Sequence, residues 1–114
     1  MTPQHNLSGM VPPWYRPRLT ARDIIDAATD ISGYTRAEIT GPLRRVSLCR
    51  VRWAVMLRLR DGGRSYPQIG RMIGGRDHRT IMHGVARAGA LVTSDAEFAG
   101  LVRRLATLAD WRAA

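Results

Sequence analysis

The chain contains no lysine, one cysteine and one phenylalanine. A nucleotide-binding P-loop needs a lysine after its glycines, so Gly74-Gly75 is a turn rather than a phosphate cradle. With Cys49 as the lone thiol, neither an internal disulfide nor a cysteine-built zinc site is available. In an apolar helical pattern such a residue is most often a small buried hydrophobe. Long apolar runs are missing too, so no membrane span is expected. The N-terminus lacks the charged start and apolar core of a signal peptide, and the expected location is the cytoplasm. His78 and His83 stand five apart, a poor spacing for two metal ligands on one helix face, and no carboxylate cluster joins them. Asp77 and His78 are adjacent, so on a helix they point apart and form no triad. The expectation is no enzyme, no metal, no cofactor and no small-molecule substrate.

What the chain does have is arginine. All 18 basic residues are Arg, set against nine acids, for a net charge of +9. Eleven of the arginines but only two acids, Asp61 and Asp77, lie between Arg44 and Arg87. The rest of the chain is balanced, so the whole excess sits in the middle. A basic patch confined to one region is the footprint of a phosphate-binding surface. Acidic lipid would also attract it, but no separate amphipathic anchor accompanies it.

The 114 residues suffice for one small domain with a modest core. Residues 1–18, broken by Pro3, Pro12, Pro13 and Pro17, read as a flexible arm, and 19–112 as the domain. The pair Trp14-Tyr15 packs on the domain or offers a docking point to a protein partner. Thr20 and Asp23 suggest a capping box for a helix over about Ala21 to Ile31, burying Ile24, Ala27, Ala28 and Ile31. Gly33 ends it, and Thr35 caps a short turn over Arg36 to Ile39. A third helix is expected over about Leu48 to Arg60, with Leu48, Val51, Val55 and Leu59 inward. Arg50, Arg52, Arg58 and Arg60 are its charges. Ser94 and Glu97 form a second expected capping box, opening a last helix over about Asp95 to Trp111 that buries Phe98, Leu101, Val102, Leu105 and Leu108. No stretch alternates with the period of a strand.

The organising stretch is Arg64 to Arg87. Tyr66, Ile69, Met72 and Ile73 recur at helical spacing, Gly74-Gly75 stops that helix, and Asp77 is a good N-cap for the next. On that next helix, about 77–92, Ile81, Gly84, Val85, Ala88 and Val92 fall on one side. Arg79, Thr80, His83 and Arg87 fall on the other, at about 100° per residue. A short helix, a tight turn and a second helix with a polar outer face make a helix-turn-helix.

Tyr66-Pro67-Gln68-Ile69-Gly70 followed by Gly74-Gly75-Arg76-Asp77-His78-Arg79-Thr80-Ile81-Met82-His83 resembles the signature of the C-terminal DNA-binding domain, domain IV, of the bacterial replication initiator DnaA. The likeness extends more weakly from about Thr20 to Ala109. It implies an all-α, TrpR-like helix-turn-helix bundle that binds double-stranded DNA, here standing without the initiator's ATPase module. Its location would then be the nucleoid. By the resemblance Arg76 makes base or phosphate contacts. Asp77 accepts from a cytosine amino group or caps the helix. His78 and Thr80 touch thymine methyls or phosphates, and His83 and Arg87 contact the backbone. Ser65, Tyr66 and Gln68 clamp phosphates at the first helix of the motif. The family carries Arg-Pro-Arg at the start of the third helix, and its first arginine reaches toward the minor groove. This chain has Arg50-Val51-Arg52, which makes Arg50 the candidate. At Arg79 the family usually has threonine, so a shift of base preference toward guanine is expected. The leading functional reading is a sequence-specific transcription regulator. A factor occupying the initiator's origin boxes is the second, and a protein-interaction module with a basic face the third.

Overall fold

A computed structural model of the protein describes residues 20–113. The arm over 1–18, with Trp14 and Tyr15, lies outside the described residues. Those described form six helices and no strand. They are α1 (Ala21–Ser32), α2 (Arg36–Thr40), α3 (Val46–Asp61), α4 (Tyr66–Met72), α5 (His78–Ser94) and α6 (Ala96–Ala113).

The helix starts are set by side chains that satisfy orphan amides. Thr20 and Asp23 exchange the two bonds of a capping box at 3.1 Å each, and Gly33 closes α1 in the left-handed conformation. Thr35 and Glu38 do the same for α2. A third box, Ser65 with Gln68, opens α4. α3 has no side-chain cap at Arg45 and begins two residues before its expected start.

α3 is the central helix and packs against each of the other five. Leu48, Val51, Ala54, Val55, Met56 and Leu59 are its buried face. Ile24, Ile25, Ala27 and Ala28 of α1, Ile69 of α4, Ile81 and Ala88 of α5, and Phe98, Leu105 and Ala109 of α6 complete one core. At about 25 cal/mol per Å² of apolar surface removed from water, these residues are the main source of stability.

Three expectations need correction. The Ser94–Glu97 box does not form. Ser94 is the last residue of α5 and its hydroxyl donates to the Ala90 carbonyl, while Asp95 accepts from the Phe98 amide at 3.0 Å. The capping position moved by one residue because α5 runs on to Ser94. Val92 was expected inward but is 36% exposed. It lies a full turn beyond Ala88, the last fully buried residue of α5, and at this level the neighbouring Leu91 packs against the core instead. Arg52, named only among the charges of this helix and not in its inward set, is 4% exposed. Its guanidinium bonds the carbonyls of Glu38, Ile39 and Gly41 at 2.7–2.8 Å.

Candidate nucleic-acid interface

The turn between α4 and α5 aims the second helix. Gly74 and Gly75 have φ of +72° and +76°, which L side chains rarely adopt. The Arg76 amide donates to the Gly70 carbonyl at 2.9 Å. A Cβ on Gly70 would lie 2.1 Å from the Arg76 carbonyl, so the crossing of the two chain segments requires glycine there. Asp77 then caps α5, accepting from the Arg79 amide at 3.0 Å. Its carboxylate also lies 3.0 Å from Nδ1 of His78, so these neighbours meet rather than point apart as expected, because Asp77 is the extended cap and not a helical residue.

Beyond the cap, α5 shows two faces. Ile81, Gly84 and Ala88 are buried. Gly84 lets α5 approach α3 closely: a Cβ there would be 2.4 Å from Sδ of Met56 and 3.1 Å from the Trp53 ring. The outer face carries His78, Arg79, Thr80, His83 and Arg87, all exposed, with Met82 among them. The Arg87 guanidinium lies 5.7 Å from the centroid of the half-buried Trp53 ring. Among the described residues no carboxylate pairs with Arg79 or Arg87. By contrast Arg36, Arg50 and Arg58 are held by Asp26, Asp95 and Asp110.

The expected site residues divide accordingly. His78, Arg79, Thr80, His83 and Arg87 share the outer face, with Asp77 at its head. Ser65 and Gln68 are partly committed to capping: the Ser65 hydroxyl accepts from the Gln68 amide and Oε1 of Gln68 from the Ser65 amide. The Gln68 amide nitrogen and the Ser65 hydroxyl proton remain to be donated. Tyr66 lies beneath the Arg60 guanidinium, 4.3 Å from its ring centroid.

Arg76 and Arg50 are placed differently. The Arg76 guanidinium donates to the carbonyls of Thr40 and Ile73 from one nitrogen, and of Gly41 from the other. Burial, and then the neighbouring charge of Arg52, pull its pKa below the usual guanidinium value. Arg50 bonds Asp95 at 2.6 Å and lies 5.4 Å from the Phe98 centroid, on the side of α3 turned toward α6. Its hydrogen bond, followed by that of the Phe98 amide, lowers the Asp95 pKa. The structure therefore does not bring Arg50 to the outer face of α5.

Two residues enter that had not been singled out. Arg44 is exposed and lines one concavity with Cys49, Trp53, Arg76 and Thr80. Trp53 lies under Arg87. The clustering of charge toward Arg44 was visible in the sequence, whereas the contact between α3 and α5 that brings in Trp53 was not. Cys49 is half-buried at the same concavity.

A short helix, a double-glycine turn and a second helix with an exposed cationic face on an all-α bundle define a DNA-binding helix-turn-helix domain. The family model described as "Bacterial dnaA protein helix-turn-helix" matches residues 21–87, and the chain belongs to that family. It is 37% identical over 89 residues to the chromosomal replication initiator protein DnaA of Ruegeria pomeroyi, covering 77% of this chain and 19% of that one. The initiator protein of Thermus thermophilus is 36% identical over 84 residues, 73% of this chain and 19% of its own. That of Cereibacter sphaeroides is 41% identical over 73 residues, 60% and 16%. The chain thus spans about a fifth of the length of the curated relatives it matches. No described helix is long and apolar enough to cross a membrane.

Proposed function

We propose that this chain binds double-stranded DNA sequence-specifically, with α5 in the major groove, at sites related to those of replication initiators. The observation that carries the reading is the outer face of α5, where Arg79 and Arg87 have no carboxylate partner among the described residues. An unneutralised pair of guanidiniums beside two imidazoles and a hydroxyl is complementary to phosphates and base edges.

Asp77, His78, Arg79 and Thr80, at the head of α5, read bases. His83 and Arg87 meet the backbone further along. Arg44 adds a phosphate contact at the concavity it shares with Thr80. Ser65, Tyr66 and Gln68 hold the flanking strand at the N-terminus of α4. The sequence alone favours transcriptional regulation. The relatives named above are all replication initiators, and this moves the balance to occupancy of origin-type sites. Selection of binding sites from random duplex DNA tests the binding. Recovery of no common sequence overturns it. Mapping the occupied sites in cells tests the role: clusters of related sites at the origin support it, and promoter sites alone return the reading to transcription.

A further inference from the structure

α2 is only five residues long, and its last carbonyls have no partners within the helix. Two arginines from elsewhere supply them. Arg52 arrives from α3, buried, and bonds the carbonyls of Glu38, Ile39 and Gly41. Arg76 arrives from the turn and bonds those of Thr40 and Gly41, together with Ile73 within the turn itself. The Gly41 carbonyl accepts from both, at 2.8 and 2.6 Å. The turn is pressed directly on this point: a Cβ on Gly74 would lie 2.0 Å from the Thr40 carbonyl oxygen. Arg76 is followed at once by Asp77, the cap of α5. The two guanidiniums therefore lock three elements together one residue before the cap of the DNA-facing helix. A cation reserved for phosphate would stand free, as Arg79 does, rather than desolvated among carbonyls beside a like charge.

We propose that Arg52 and Arg76 are positioning residues, which fix the direction in which α5 leaves the turn, and that Arg76 acts on DNA only through the backbone it holds. The proposal rests on the reading of α5 as the DNA-contacting helix. Lysine tests it, because an ammonium keeps the charge but cannot reproduce a fork that spans several carbonyls. A phosphate contact survives that change in large part; a clamp does not.

The experiment compares wild type, Arg76→Lys, Arg76→Ala, Arg52→Met and, as a control for plain destabilisation, the remote core variant Leu105→Ala. Affinities are measured across a salt series for a duplex recovered by wild type from random DNA and for its scrambled counterpart, at a temperature where melting curves show each protein folded. The clamp predicts that Arg76→Lys and Arg52→Met lower the ratio of recovered to scrambled affinity while the log–log salt slope stays at the wild-type value. Leu105→Ala lowers the melting temperature and leaves the ratio alone. Should Arg52→Met not fold, the Arg76 variants decide. A wild-type ratio in Arg76→Lys, with Arg76→Ala losing about 0.9 from the slope, makes Arg76 a phosphate contact and overturns the proposal. If wild type binds no duplex, it is the reading of α5 that fails. The clamp then stands if Arg76→Lys displaces the amide resonances of Gly74, Gly75 and Asp77, and falls if they stay in place.

Discussion

Arg79, like Val51, stands where the chain departs from the signature it resembles, which by that resemblance usually has threonine at this position. It is exposed, so the core does not need it. If Arg79 reads a base, Arg79→Thr costs about 1–3 kcal/mol on the native site and moves the selected sequence toward the initiator's own box. If it holds only a phosphate, affinity for every sequence falls alike and the preferred site stays. Site selection with both proteins distinguishes these, and identical motifs with identical affinities would make Arg79 a solvated surface charge. Asp95 gives a second residue-scale prediction. Its carboxyl is held below the usual range by Arg50 and by the Phe98 amide. A depressed carboxyl contributes stability that is present above its unfolded value, about 3.9, and is lost as pH falls through the folded one. Asp95→Asn is therefore expected to lower the melting temperature at neutral pH and to flatten its decline in acid. A variant with the wild-type acid profile would show that the pair with Arg50 carries none of it. At this scale the Asp77 cap was legible in the sequence, because cap and amide are two residues apart. The burial of Arg52 was not, because its acceptors are backbone carbonyls more than ten residues away, and any residue type offers those.

Among the elements, the turn between α4 and α5 makes the sharpest demand. Both of its glycines are left-handed, a conformation that costs other residues about 1–2 kcal/mol, but their surroundings differ. A Cβ on Gly75 meets nothing within 4 Å, while one on Gly74 would lie 2.0 Å from the Thr40 carbonyl oxygen. Gly75→Ala is expected to cost about 1–2 kcal/mol in urea melts, the left-handed strain alone. Gly74→Ala is expected to cost clearly more, and equal costs would mean that the α2 end yields freely. The helices themselves were legible from apolar period and caps, and each was found within two residues of its expected start. Their ends were harder. The α5–α6 junction shifted because Ser94 and Asp95 are both good caps, and the choice between them depends on how far α5 runs before α6 must turn back onto α1 and α3. Arg50 is a minor-groove candidate by the likeness of a local run, whereas its bond to Asp95 and its place over Phe98 come from the packing of α6, which no local run encodes.

Across the described residues, part of the arginine charge is built into the packing and part is left on the surface. The excess of arginine over acid is confined to the stretch Arg44 to Arg87. Within it Arg52 and Arg76 are spent on carbonyls, and Arg50 and Arg58 on carboxylates of the α6 region. The salt slope of DNA binding, about 0.9 per phosphate contact, should therefore report fewer contacts than the eleven arginines of that stretch. Arg50→Ala should flatten it if Arg50 meets a phosphate, or shift the preference for flanking A·T tracts if it enters the minor groove, and no change in either would take Arg50 out of the interface.

The stacking of Arg87 on Trp53 has an optical consequence. The indole sits half-buried between α3 and α5, 5.7 Å below a cation on the face proposed to meet DNA. Trp111, 76% exposed near the far end of α6, lies outside that contact. When a phosphate draws the guanidinium away, the charge above the Trp53 ring changes and its emission should change with it. With Trp14 and Trp111 replaced by phenylalanine, the remaining tryptophan becomes a single-site fluorophore reporting docking of the recognition helix in real time, without a dye. A titration with duplex that changes this emission in wild-type background but not in Arg87→Ala would tie the signal to that one cation, and an equal response in both would trace it to some other change around the ring.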